Sequence, residues 1–251
     1  TMTPLKGRPF LYDEIYLNAR GDPEVWYEFM AWEDNPFLPR REIALLEKTL
    51  DARTLESRRR GRFCTGEGLV YPEFDERVHV IPPFAVPPEW QDAISIDPGL
   101  NNPLSAHWYC ADWDGNVYVV AEHYEAGRDV EYHARRIREI SRALGWHTDG
   151  QGRLRALIDS AANQRTLAAS KSVSELFCER GILVNARVNK DLFAGIARVK
   201  QYLIGEGGKP QLYIFEGCVN LIREIKGYFW GEGDVPKKRD DHALDELRYY
   251  L

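Results

Sequence analysis

The sequence predicts an α/β protein: a mixed β-sheet covered by helices, with a helical and extended appendage on its N-terminal side. From about residue 92 onward, short apolar runs of strand length alternate with segments of helical period. The first two long extended runs meet at Asp114-Gly115, a dipeptide suited to the positive φ of a tight hairpin. The first ninety or so residues lack this alternation, consisting of a helical segment followed by proline-dense chain.

Taken in order, the segment after Asn35-Pro36 carries Ile43, Leu46 and Leu50 at helical spacing, which predicts one long helix. "GEGLVYPEFDERVHVIPPFAVPPEW" follows, with Pro72, Pro82, Pro83, Pro87 and Pro88. Proline at that density resists helix and central strand alike, so an extended surface connector is expected. The expected division is therefore 1–60 as a helical tail, 61–90 as the connector, and 91–251 as the main domain. There, "AISIDPG" is a strand ending in Asp97, and "SAHWYCADWDGNVYVVAEHYEA" is the hairpin. Val130, Ala134, Ile137, Ile140 and Leu144 share one helical face. "LRALIDSAAN" is a strand ending in Asp159; helix, strand, helix, strand and helix follow, with a last helix from Asp241. The opening order of three strands, a helix and a strand is that of a ribonuclease-H-like sheet.

The composition, 44% hydrophobic and 29% charged, is that of a soluble globular chain. No apolar run is long enough to span a bilayer, and no N-terminal stretch has signal-peptide character. Cys64, Cys110, Cys178 and Cys218 are scattered without CxxC spacing, which points to a reducing compartment and against structural zinc or a disulfide framework. The net charge is −6, but basic clusters stand at Arg58–Arg62, Arg135–Arg138 and Lys237–Arg239. An acidic total leaves nucleic acid open as a partner, because phosphate contact needs only a local stripe.

Asp97 and Asp159 each end an apolar strand, the edge where open α/β sheets place their sites. If the first and fourth strands of the domain are neighbours, these two lie side by side, and a closing helix could bring Asp241 and Asp245 to them. Carboxylates so gathered repel one another unless a cation neutralises them, and hard oxygen donors suit Mg²⁺ or Mn²⁺. Two such ions can hydrolyse a phosphodiester without a protein nucleophile. Glu122 is expected as a polar strand end, His107, His123 and His133 as surface or helix-packing residues, and Arg248 and Tyr249 as anchors of the last helix.

"SIDPGLNNP", "ALIDSAANQRT" and "PKKRDDHALDELRYYL" together resemble the nuclease domain of the large terminase subunit of tailed bacteriophages. "DNPFLP" and "GEGLVYPEFDERVHVI" are similar to the segment joining that family's motor to its nuclease, and "TPLKG" at Thr3 to Gly7 to the end of the motor. The resemblance implies part of a longer protein, with residues 1–60 as a tail of the ATPase motor or a linker helix. No G-x-x-x-x-G-K-[ST] loop occurs, and "GEGGKPQ" at Gly205 is a poor imitation, so no ATPase activity is expected of this chain. It further implies Asp97, Asp159 and Asp241 as catalytic metal ligands, with His242 and Asp245 as other candidates at the third position. Lys238, with Lys237 and Arg239, would face the phosphate. The implied activity is cleavage of concatemeric double-stranded DNA in the host cytoplasm with two Mg²⁺ or Mn²⁺ ions, the portal protein and small terminase subunit being partners of the intact motor. The alternatives are another ribonuclease-H-like nuclease (a resolvase, a transposase or a hybrid ribonuclease) and a non-catalytic portal-docking module.

Overall fold

A computed structural model describes residues 28, 30–49, 55, 59, 68–165, 170–231, 235–238 and 240–251. The chain divides into two units, one taking in the described residues up to 70 with 229–238, the other residues 71–228 with 239–251. In the smaller unit, helix α1 (Arg40–Thr49) has Glu42 in its first turn and Lys48 in its last, each matched to the helix dipole. Leu55 and Arg59 are also helical, and Arg59 lies 3.0 Å from Glu47. The "TPLKG" stretch, Trp26, Leu50, Arg58, Arg60, Arg62 and Cys64 lie outside the described residues.

The larger unit holds a seven-stranded mixed sheet. Its strands are β1 (Val80–Ile81), β2 (Gln91–Asp97), β3 (Leu104–Ala111), β4 (Val117–Glu125), β5 (Leu154–Ile158), β6 (Ile182–Asn185) and β7 (Leu212–Phe215). They lie side by side in the order β1-β7-β4-β3-β2-β5-β6. The β2–β3 and β3–β4 pairs are antiparallel and the rest parallel. This is the ribonuclease-H-like arrangement expected from the element order. At the hairpin tip the Asp112 carboxylate accepts from the Asp114 and Asn116 amides, while Gly115 takes φ +80°.

One expectation needs correction. Residues 71–81 are not a free-running extended connector. Asp75 caps a one-turn helix α2 (Glu76–His79), and the next two residues form β1, which pairs with β7 at the sheet edge. An edge strand needs donors on one side only, and Pro82-Pro83 fall just beyond it, so proline ends the strand without breaking the ladder.

The helices are α3 (Val130–Ala143), α4 (Val173–Glu179), α5 (Leu192–Ile204), α6 (Val219–Gly227) and α7 (His242–Tyr250). Asp129 caps α3, Ser172 and Glu175 form a capping box on α4, and Asp191 caps α5. Trp108 on β3 is fully buried and donates to Ser141 of α3 at 2.9 Å, fixing that helix to the sheet. "GEGGKPQ" turns from α5 into β7, the reverse of the strand-to-helix setting a phosphate loop needs. Ala243, Leu244 and Leu247 are fully buried, so α7 packs its apolar stripe across β2 and β3. Among the described residues no helix is long and apolar enough to cross a membrane.

Candidate active site

Asp97 is the last residue of β2 and Asp159 directly follows β5. These strands are parallel neighbours with Ile96 opposite Ile158, and the Asp159 amide donates to the Ile96 carbonyl at 3.4 Å. Both carboxylates therefore leave the sheet at the same edge. After Asp97 the chain folds back so closely that a Cβ on Gly99 would lie 2.4 Å from the Asn102 carbonyl oxygen. Only glycine permits that turn. After Asp159 the chain enters a 3-10 turn (Ser160–Asn163), and the carboxylate accepts from the Ala161 amide at 2.6 Å.

Helix α7 supplies the third side. The ring of His242 lies 3.0 Å from the Asp97 carboxylate through Nδ1. Asp241 stands at the N-cap, yet its side chain makes no capping bond. Glu224 of α6 does that work, accepting from the Ala243 amide at 2.8 Å and the Leu244 amide at 3.3 Å. An unserved helix N-terminus attracts a carboxylate. Because Glu224 meets that need, Asp241 is left without this duty. Asp245 is engaged by Arg248 one turn along the same helix.

Beneath these residues runs a buried ionic relay. Glu246 of α7 accepts from Ser105 Oγ at 2.6 Å and the His107 amide at 3.2 Å, and also meets His107 Nδ1. The other ring nitrogen of His107 lies 2.9 Å from Glu122. Glu122 in turn accepts from the Asn220 and Leu221 amides, at 3.0 and 2.9 Å, in the first turn of α6. Both helices are thus pinned to the hairpin through one imidazole. His107 is fully buried, not a surface residue, and Glu122 is a structural bridge. His107 stands opposite Glu122 only after a register shift between Trp108 and Tyr109, an irregularity that no local sequence pattern announces. His123 and His133 are buried against each other, 2.9 Å apart, with His133 on α3.

The charges are unevenly compensated. Burial pushes the Asp97 carboxyl up; His242 opposes this, while the charges of Asp159 and Asp241 push it further up. Burial also acts on Asp159, but Lys190, the Ala161 amide and the Tyr249 hydroxyl outweigh it and hold that carboxyl below its usual range. Lys190 Nζ lies 2.8 Å from each Asp159 oxygen, and Tyr249 donates to Oδ2 at 2.7 Å. His242 is raised by its bond to Asp97 against the opposing effect of burial.

The structure thus brings His242 onto Asp97, and the charges of Asp159 and Asp241 are felt at Asp97. Lys237 and Lys238 are exposed residues of the smaller unit, and Arg239 lies outside the described residues. Among the described residues no three His, Cys, Asp or Glu side chains are gathered closely enough to hold a metal ion. Sequence reasoning missed Lys190, Glu224 and the inward role of Glu246. Lys190 stands thirty-one residues beyond Asp159, with no local signal to join them.

No protein-family model matches the chain, and no curated protein matches it. Solved structures do. The large terminase of a thermophilic bacteriophage is 20% identical over 96% of this chain and 58% of that one, with a TM-score of 0.67. The same terminase in complex with ATP-gamma-S gives 22% identity over 97% of this chain and 60% of that one, at 0.68. The nuclease domain of the P22 large terminase is 17% identical over 73% of this chain and 91% of that one, at 0.58. The chain spans about 60% of the length of the thermophilic phage terminase it matches. At these identities the likeness is one of fold.

Proposed function

We propose that this chain, which carries the fold of large-terminase structures, is a divalent-metal-dependent endonuclease that cuts double-stranded phage DNA during genome packaging. The observation that carries the reading is the pairing of Asp97 and Asp159 on adjacent parallel strand ends, with His242 on Asp97 and Asp241 released from capping by Glu224. The donor set suits a hard cation. Burial, with the charges of Asp159 and Asp241, raises the Asp97 carboxyl against the opposing bond from His242, so a cation at that strand end would relieve it. Asp97, Asp159 and Asp241 would hold the ions, with His242 and Asp245 as the other candidates at the third position. Mg²⁺ or Mn²⁺ ions there, two of them, would supply a Lewis acid for the phosphodiester and a more acidic water.

The chain's own residues supply the rest. Gly99 sets the turn that aims Asp97, Tyr249 and the Ala161 amide orient Asp159, and Glu224 and Glu246 dock α7. Basic side chains, Lys237, Lys238 and Arg239 among them, would hold the DNA backbone with little reading of sequence. Residues 1–60 would be the tail of a motor domain or a linker helix and 91–251 the body of the nuclease, with the helix and strand at 76–81 joined to its sheet edge, and no ATPase activity of its own. In the intact motor its partners would be the portal protein and the small subunit, in the host cytoplasm.

Plasmid cleavage with Mg²⁺ or Mn²⁺ tests the proposal. Asp97→Ala and Asp159→Ala should each lower the nicking rate by at least about 100-fold, the scale of losing an electrostatic catalytic group. Variants that cut as fast as the parent would end the metal-centre reading. Faster cutting of branched DNA or RNA/DNA hybrids than of duplex would point to another ribonuclease-H-like activity.

A further inference from the structure

Asp159 is held by three donors, and they differ in their freedom to leave. The Ala161 amide belongs to the backbone of the turn that Asp159 itself caps. The Tyr249 hydroxyl is neutral and sits on the last turn of α7, a helix anchored by Glu224 and Glu246. Lys190 is different. It stands just before the Asp191 cap of α5, on the loop after β6, and its side chain is 47% exposed. It reaches Asp159 with an ammonium on a flexible four-carbon stem.

An ammonium 2.8 Å from both carboxylate oxygens stands where a second cation would have to approach. Like charges cannot share that position, and of the three donors only Lys190 is both charged and free to swing. β5 and β6 are parallel neighbours, so the loop carrying Arg187 and Lys190 leaves the sheet at the same edge as Asp159. Arg187 and Lys190 are both exposed there.

We infer that Lys190 is an exchangeable positioning residue. It holds Asp159 in its working orientation as a cation surrogate, gives up that carboxylate when a divalent ion binds, and transfers its charge to a phosphate of the DNA strand at the site. This rests on the metal-dependent nuclease reading above. It assigns the second strand-end acid a built-in competitor, and it makes the β6–α5 loop a DNA-backbone contact.

Calorimetric titration of Mn²⁺ into the DNA-free protein tests the competition directly, without any reading of activity. A partly exposed ion pair is worth up to about 1 kcal/mol, so Lys190→Gln should bind Mn²⁺ about fivefold more tightly than the parent, while Lys190→Arg stays near the parent. The same Lys190→Gln protein, titrated with a short duplex in Ca²⁺ at several salt concentrations, should lose about one unit of salt slope, and Lys190→Arg should restore it. An unchanged or weaker Mn²⁺ affinity in Lys190→Gln, with binding that still vanishes in Asp97→Asn, overturns the inference and leaves the nuclease reading standing. A parent protein with no saturable Mn²⁺ binding overturns both. An unchanged salt slope overturns the transfer to phosphate.

Discussion

Replacing Glu246 by alanine should uncouple the last helix from the sheet. The carboxylate is fully buried and takes bonds from Ser105 Oγ, the His107 amide and the His107 ring. Its removal strands those donors and leaves the buried imidazole with Glu122 alone. Breaking a buried charge pair by deleting one partner costs about 3–5 kcal/mol, and a stranded neutral donor roughly 1–3 kcal/mol more where water does not enter. Loss of the His107 proton and entry of water into the vacated space both relieve part of this, so about 4 kcal/mol is the expected net effect. For a domain of this size that is a fall in Tm of roughly 8–16 °C. Urea unfolding measures the free energy, and Glu246→Gln, which keeps an acceptor of the same size, should lose less than half as much. A loss below about 1 kcal/mol for Glu246→Ala would refute the view that this relay docks α7.

The same relay sets an alkaline limit. Burial would lower the His107 pKa, but Glu246 and Glu122 outweigh it and raise it from 6.5 to about 10. A group held more basic in the folded state contributes in full below its unfolded value and loses that contribution as pH rises through the folded one. Burial raises Glu246 as well, against the opposing effect of His107 and Ser105, and this acts with the same sign. Tm should therefore fall between about pH 6.5 and 10, and His107→Gln should flatten that slope; an unaltered slope would show that His107 is not charged. Gly99→Ala places a Cβ 2.4 Å from the Asn102 and 2.5 Å from the Pro103 carbonyl oxygens, so backbone must move. It should cost roughly 1–3 kcal/mol and weaken Mn²⁺ binding by shifting Asp97, and a parent-like melt with parent-like Mn²⁺ affinity would contradict this.

What could be read along the chain was what the chain decides locally. Apolar runs ending in Asp97 and Asp159, the Asp114-Gly115 turn and the amphipathic face of α3 all depend on neighbours a few residues away, and each is found where its pattern predicts, except that Leu144 caps the end of α3 and is exposed. The strand order followed too, because short connections and right-handed crossovers leave few ways to lay these elements down. That order is why two carboxylates far apart in sequence could be expected to share an edge.

Tertiary structure alone decided which charges meet. The cation that meets Asp159 is Lys190, thirty-one residues further along the chain, and no local pattern joins the two. Asp241 stands at the N-cap of α7, and the carboxylate that caps the helix is Glu224 from the preceding one. Glu246 is fully buried on α7 and joined to a histidine 139 residues away. Side chains choose such partners only after sheet order and helix docking have brought distant backbone together and removed water from between them. Propensity and period carry no record of that step: the sequence by itself determined where the acids stand, and packing determined what neutralises them.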